Sequence, residues 1–225
     1  MLPTKNRVYA TDNTDVSILD LARLASLSGK FMSKGMSVEQ AIAARQTVAA
    51  YLITNASGGN CAGMVCEWAS AFARTGNPEL NLNMDSARRM QGNLRTTTMK
   101  RTALDKPEPA VTARTKMYRG AGLSQKLLVT SQMPDEKPKY EQTAAQISGW
   151  VSIMDDQVLQ LSVDFGDGRH AIGLLFKGAS FYILEPNQGL YKFSSEAVYR
   201  ENIKSYLMEN CPPGSPWSLL AITAA

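Results

Sequence analysis

Histidine is almost absent from this sequence: His170 is the only one in 225 residues. A single imidazole cannot supply the histidine-containing ligand sets that usually hold zinc, so no metal is expected. Cysteine is nearly as scarce. There are three, an odd number with no Cys-x-x-Cys pair, which excludes a disulfide framework and points to synthesis in a reducing cytoplasm. No stretch approaches the roughly 20 apolar residues of a membrane span. Met1 to Arg7 lacks the apolar core of a Sec signal peptide. Charge of one sign is not in large excess: 24 Lys and Arg face 20 Asp and Glu, a net +4 that does not argue for nucleic acid.

What is present is an ample apolar fraction, 44%, enough to fill a substantial core. Asp15 to Ser28 carries a helical apolar stripe, and Ser37 with Gln40 reads as a capping box for a helix to about Thr54. Residues 1–14 are polar and read as loose. Residues 1–35 are therefore expected to be an N-terminal extension, and residues 36–225 one α+β catalytic domain. A third helix begins at Cys61 and ends at Gly76-Asn77-Pro78, with Met64, Val65, Trp68, Ala69 and Phe72 on one face. From Gln157 the pattern changes to short apolar runs. Gln157–Phe165, His170–Lys177, Phe181–Glu185, Leu190–Phe193 and Trp217–Thr223 read as strands. Ser194 is placed as the N-cap of a helix running to about Asn210, with Phe193 and Val198 as a hydrophobic staple. Helices first and an antiparallel sheet second make an α+β layout.

Residues 76–139 stand apart as a basic, polar insertion, with one short strand expected over Leu127–Ser131. Residues 76–126 hold ten Lys or Arg against four Asp or Glu, and Tyr118 is their only aromatic. The cluster from Arg88 to Arg119 suits an anionic lipid or an acidic protein, or is simply a solvated face. One aromatic does not make a stacking surface for nucleic acid.

The chemistry concentrates at two places. Cys61 opens its helix after Gly58-Gly59-Asn60, where the helix dipole and unpaired N–H groups favour a thiolate. Cys66 lies about 140° further round the helix and past its first turn, so it reads as a structural residue. Cys211, before Pro212-Pro213, is expected on an exposed loop. His170 opens a strand, and Glu185 falls on the same face if the intervening hairpin turns in two or four residues. There its carboxylate accepts the His170 Nδ1–H and fixes the tautomer. Asn187, two residues on, is the rival orienter. Cys61, His170 and Glu185 then form nucleophile, base and orienter. The Cys61 N–H, with Asn55 or Asn60, supplies an oxyanion site.

These residues resemble the YopT/AvrPphB-type cysteine proteases, a papain-like clan of bacterial effectors. The resemblance rests on Cys61 with Met64, Val65 and Trp68, on His170-Ala171, and on Glu185-Pro186-Asn187-Gln188-Gly189. It spans about residues 45–75 and 157–223. It implies a papain-like fold, proteolysis without cofactor or metal, a protein substrate, and delivery from a bacterial cytoplasm into a target cell. The family has Asp where this chain has Glu185. A Cys-His-Glu-Asn set is also the pattern of CHAP-type peptidoglycan amidases, so that reading and glutamine deamidation stay open, as does an inactive binding module.

Overall fold

The computed structural model describes residues 2–11, 60–99, 110–164 and 169–225. The expected helices over 15–28 and 37–54, and the oxyanion residue Asn55, lie outside the described residues. The helices, numbered along the described chain, are α1 (Cys61–Thr75), α2 (Met84–Met99), α3 (Ala110–Gly120), α4 (Tyr140–Ile153) and α5 (Glu196–Asn210). The strands are β1 (Arg7–Tyr9), β2 (Leu123–Gln132), β3 (Val158–Asp164), β4 (Arg169–Lys177), β5 (Ser180–Glu185), β6 (Gly189–Phe193) and β7 (Pro216–Ala224). They form one antiparallel sheet in the order β1-β6-β5-β4-β3-β7-β2.

The inner strands read as near-continuous apolar runs because both faces of the sheet are covered. On one face, Ile172 and Leu174 of β4 and Ile183 of β5 pack against Ala144, Ile147 and Val151 of α4 and Tyr199, Ile203 and Leu207 of α5. On the other, Ala171 and Leu175 of β4 and Leu184 of β5 meet α1 through Cys61, Val65, Trp68 and Phe72, together with Tyr118 of α3. Alternate residues of a strand point to opposite faces. His170, two residues before Ile172, therefore belongs to the α4/α5 face, and Arg169 to the α1 face.

Two close approaches fix α1 in place. A Cβ on Gly173 of β4 would lie 2.7 Å from the Trp68 ring, and one on Gly63 would lie 2.2 Å from the Ala87 carbonyl oxygen of α2. Only glycine lets the helix sit this near strand and helix. Further along, Lys177 at the end of β4 stands 5.3 Å over the Phe72 ring. Helix and strand thus run side by side in the same direction. Seven helical residues from Trp68 back to Cys61 cover about 10.5 Å, and the few strand residues from Gly173 back to the start of β4 cover about the same. The helix N-terminus is thereby set beside the first residues of β4.

Several expectations change. Residues 2–11 are not loose: β1 pairs with β6, and Leu2 is buried in the α4/α5 core. The short polar segment gives no sign of this because its partner lies at the far end of the chain. The segment expected as an insertion supplies integral elements. β2 is a ten-residue strand paired along β7, and Met117 and Tyr118 of α3 lie in the core. As an edge strand with few buried side chains, β2 carries little apolar periodicity. The N-cap of α5 is Ser195 rather than Ser194, and it makes no side-chain cap bond. That one-residue shift leaves Val198 exposed and turns Phe193 edge-on to Tyr199, so no staple forms. Cys211 is buried, not on an exposed loop. It caps α5 under α4, where its carbonyl accepts the Tyr140 hydroxyl at 3.0 Å.

Candidate active site

The β4–β5 hairpin turns through Gly178-Ala179, two residues with positive φ of 55° and 67°, as a type I′ turn requires. With Gly173 opposite Leu184, the register brings Glu185 to the His170 face of the sheet. The His170 Nε2 lies 3.0 Å from both Glu185 oxygens. This corrects the expected atom: the carboxylate holds Nε2, not Nδ1. The reason is reach. Nδ1 is attached next to the Cβ-bearing ring carbon and stays near its own strand, whereas Nε2 extends toward β5.

Glu185 is 1% exposed. Such a carboxylate needs donors on every side. Besides His170 it has the Tyr206 hydroxyl of α5 at 2.5 Å and the Asn187 backbone N–H at 2.9 Å. Asn187 therefore supports the orienter through its main chain, while Glu185 is the residue that meets the imidazole. The loop after Glu185 is held in turn by Thr11, whose hydroxyl donates to the Pro186 carbonyl at 2.8 Å.

The Cys61 thiol aims at the backbone carbonyl of Arg169, with an Sγ–O distance of 3.8 Å. It also lies near enough to the His170 ring to raise that ring's pKa. Since Nε2 is engaged by Glu185, Nδ1 is the nitrogen available to the thiol. Burial pulls the His170 pKa down, but hydrogen bonds to Cys61 and Glu185 and their charges outweigh it and carry it up to about 10. The imidazolium is thus the favoured form between two potential anions. Burial, helped by Glu67, pushes Cys66 up to about 12; burial, helped by Glu185, does the same to Cys211. Both are held as neutral core groups.

The first turn of α1 is arranged around this thiol. The Asn60 side chain makes no cap bond. Instead the Gln91 side chain of α2 accepts from the Gly63 N–H at 2.8 Å. Helical bonding starts with the Met64 N–H to the Asn60 carbonyl. Tyr206 and Gln91 were not singled out in the sequence. Tyr206 falls on the apolar Tyr199–Ile203–Tyr206 stripe, so its hydroxyl looks like one more core aromatic; Gln91 has no local signal at all. Among the described residues no group of three or more metal-ligating side chains comes together.

An α+β fold in which a helix-borne thiol meets a strand-borne imidazole held by a third side chain is the papain-like arrangement. The fold of one solved structure agrees with it. The crystal structure of the Pseudomonas avirulence protein AvrPphB superposes with a TM-score of 0.55 at 19% sequence identity, covering 75% of this chain and 93% of that one. A ubiquitin-specific protease encoded by the murine cytomegalovirus tegument protein M48, solved with a ubiquitin-based suicide substrate, gives a TM-score of 0.46 at 12% identity. It covers 72% of this chain and 76% of that one. No family model matches the sequence, and no curated protein does.

Proposed function

We propose that this chain is a cysteine protease that cuts a protein substrate in a target cell. The observation that carries the reading is the buried relay from the Cys61 thiol through His170 to Glu185, which Tyr206 and the Asn187 N–H hold in place. Cys61 gives its proton to His170 Nδ1 and its sulfur attacks the peptide carbonyl carbon. The oxyanion forms beside the Cys61 backbone N–H at the positive end of α1. His170 then protonates the departing amine, leaving a thioester on Cys61. Water, deprotonated by His170, adds to the thioester and releases the acid and the thiol. Throughout, Glu185 accepts the Nε2–H, so the ring keeps its tautomer and its charge is compensated. The likeness to an avirulence protein supports delivery from a bacterium into another cell as the setting.

Two measurements test this. Iodoacetamide is expected to alkylate Cys61 faster than Cys66 or Cys211 near neutral pH, and His170→Ala removes that advantage. Equal rates for the three thiols would defeat the relay. Quantitative proteomics of a host-cell lysate treated with wild-type or Cys61→Ala protein should give new N-termini only with the wild type. Intact chains with glutamine converted to glutamate would identify a deamidase instead.

A further inference from the structure

The face of the sheet that carries the thiol also carries a cavity of about 470 Å³, within the range of ligand-binding pockets. Its floor crosses four strands. Arg169 contributes from β4, Ser162 from β3, Ser218 from β7 and Leu127 from β2, with Arg114 of α3 at its wall. Arg169 is also the residue whose carbonyl faces the Cys61 sulfur. The cavity therefore starts one residue from the thiol, at Arg169, and runs across the strands toward the β2 edge. Three interstrand steps of about 4.8 Å make it long enough for several residues of extended peptide.

Its charges are not balanced. Arg169 is committed: its Nε donates to Asp164 at 2.8 Å across the β3–β4 pair. Arg114 is not matched in the same way. Its one side-chain partner among the described residues is the Ser162 hydroxyl at 3.3 Å, an oxygen that already accepts from Gln160 at 2.7 Å. Burial disfavours the Arg114 charge, and the Arg169 guanidinium adds to the effect. A half-buried guanidinium with one hydroxyl as its protein partner leaves most of its five N–H donors facing the cavity, open to an incoming acceptor. A carboxylate entering the cavity supplies two oxygens in the fork geometry that arginine binds best.

We propose that Arg114 reads an acidic side chain of the substrate in this cavity and is a specificity-determining residue of the protease. The inference rests on the protease reading above and narrows the broad basic segment of the sequence to one arginine. Neighbouring charges do not share the role: Arg88 pairs with Asp85 at 3.4 Å, and Arg119 is exposed and does not line the cavity.

The test uses peptidyl acyloxymethyl ketones carrying Asp, Asn or Lys at each of the three positions nearest the ketone. The Cys61 sulfur displaces the carboxylate leaving group from the ketone's methylene carbon to form a thioether, and intact mass gives the rate. At one position the Asp probe is expected to label Cys61 at least about tenfold faster than its Asn counterpart, the scale of a hydrogen bond to a charged group. Arg114→Gln brings that ratio near one without changing the Asn rate, whereas Arg119→Gln leaves the ratio intact. Should Arg114→Gln fail to fold, Arg114→Lys carries the test. It keeps the charge but loses the fork, so the ratio drops severalfold; an unchanged ratio counts against the proposal. Equal Asp and Asn rates at every position, or a preference that survives Arg114→Gln, overturn the subsite and leave the protease reading standing. Failure of every probe to label Cys61, while iodoacetamide still does, overturns the subsite and a peptide-binding cleft together.

Discussion

The two faces of the sheet do different jobs, and they do them with different chemistry. The α1 face positions the Cys61 thiol mainly by close packing: Trp68 lies against bare Gly173, and Gly63 lies against the α2 backbone, with the Gln91 side chain accepting from the Gly63 N–H. The α4/α5 face positions the His170 imidazole by hydrogen bonds: Tyr206 and the Asn187 N–H hold Glu185, and Glu185 holds His170. Neither face alone holds both the thiol and the imidazole. They meet only where the sheet ends, at the Arg169–His170 step, whose backbone carbonyl faces the thiol and whose next side chain is the imidazole. Steric placement suits a sulfur that must be near one strand end. Hydrogen-bonded placement suits a ring whose tautomer must also be specified.

The comparison is broken most completely by removing the bridge. Cys61→Ala is expected to abolish turnover in the lysate assay while leaving the melting temperature near that of the wild type. Next in size is the polar face: Glu185→Gln keeps shape but loses charge, and should reduce the acylation rate of a peptide substrate by roughly 10²–10⁴-fold. Tyr206→Phe removes one donor from the buried carboxylate and should cost about tenfold or more in the same assay. The steric face answers differently. Gly63→Ala puts a Cβ 2.2 Å from a backbone oxygen, and should destabilise the fold by about 1–3 kcal/mol in denaturant titrations. A rate loss from Tyr206→Phe with unchanged stability, against a stability loss from Gly63→Ala, would sharpen the division; the reverse would erase it.

The smallest effect is in pH. The His170 pKa rises from 6.5 to about 10 on folding, so the folded state keeps a proton that the unfolded chain loses. This contribution is fully present below about 6.5 and disappears as pH rises through about 10. The stability difference between wild type and His170→Gln should therefore shrink over that window. A difference that grows with pH would mean that the ring is neutral in the folded protein.

Much of the sheet was readable because buried strands show it: β3 to β7 lie within a residue or two of the apolar runs from Gln157 onward. α1 was readable from its stripe and its flanking glycine loop. The places of Cys61, His170 and Glu185 at the ends of regular elements were readable too; their proposed catalytic roles are for the thiol-labelling and proteomic measurements to decide. What stayed hidden depends on partners distant in sequence. β1 and β2 are edge strands whose side chains are largely exposed, so their partners β6 and β7 and not their own pattern make them strands. α4 shows only weak apolar periodicity, though Ala144, Ile147 and Val151 are fully buried. Nδ1 and Nε2 cannot be told apart without the side-chain direction, and no spacing announces that Tyr206 will reach Glu185.

The bridge at Arg169 also sets a clock. Cys61 and Arg169 are separated by 108 positions, and a ribosome adds about 5–20 residues per second. For roughly 5–20 s of synthesis the thiol has emerged and the histidine has not. The strand order then asks for more, since β3 needs β7 from the last residues of the chain before its second side is covered. The neighbourhood shared by Cys61, Arg169 and His170 is therefore assembled from parts made well apart in time.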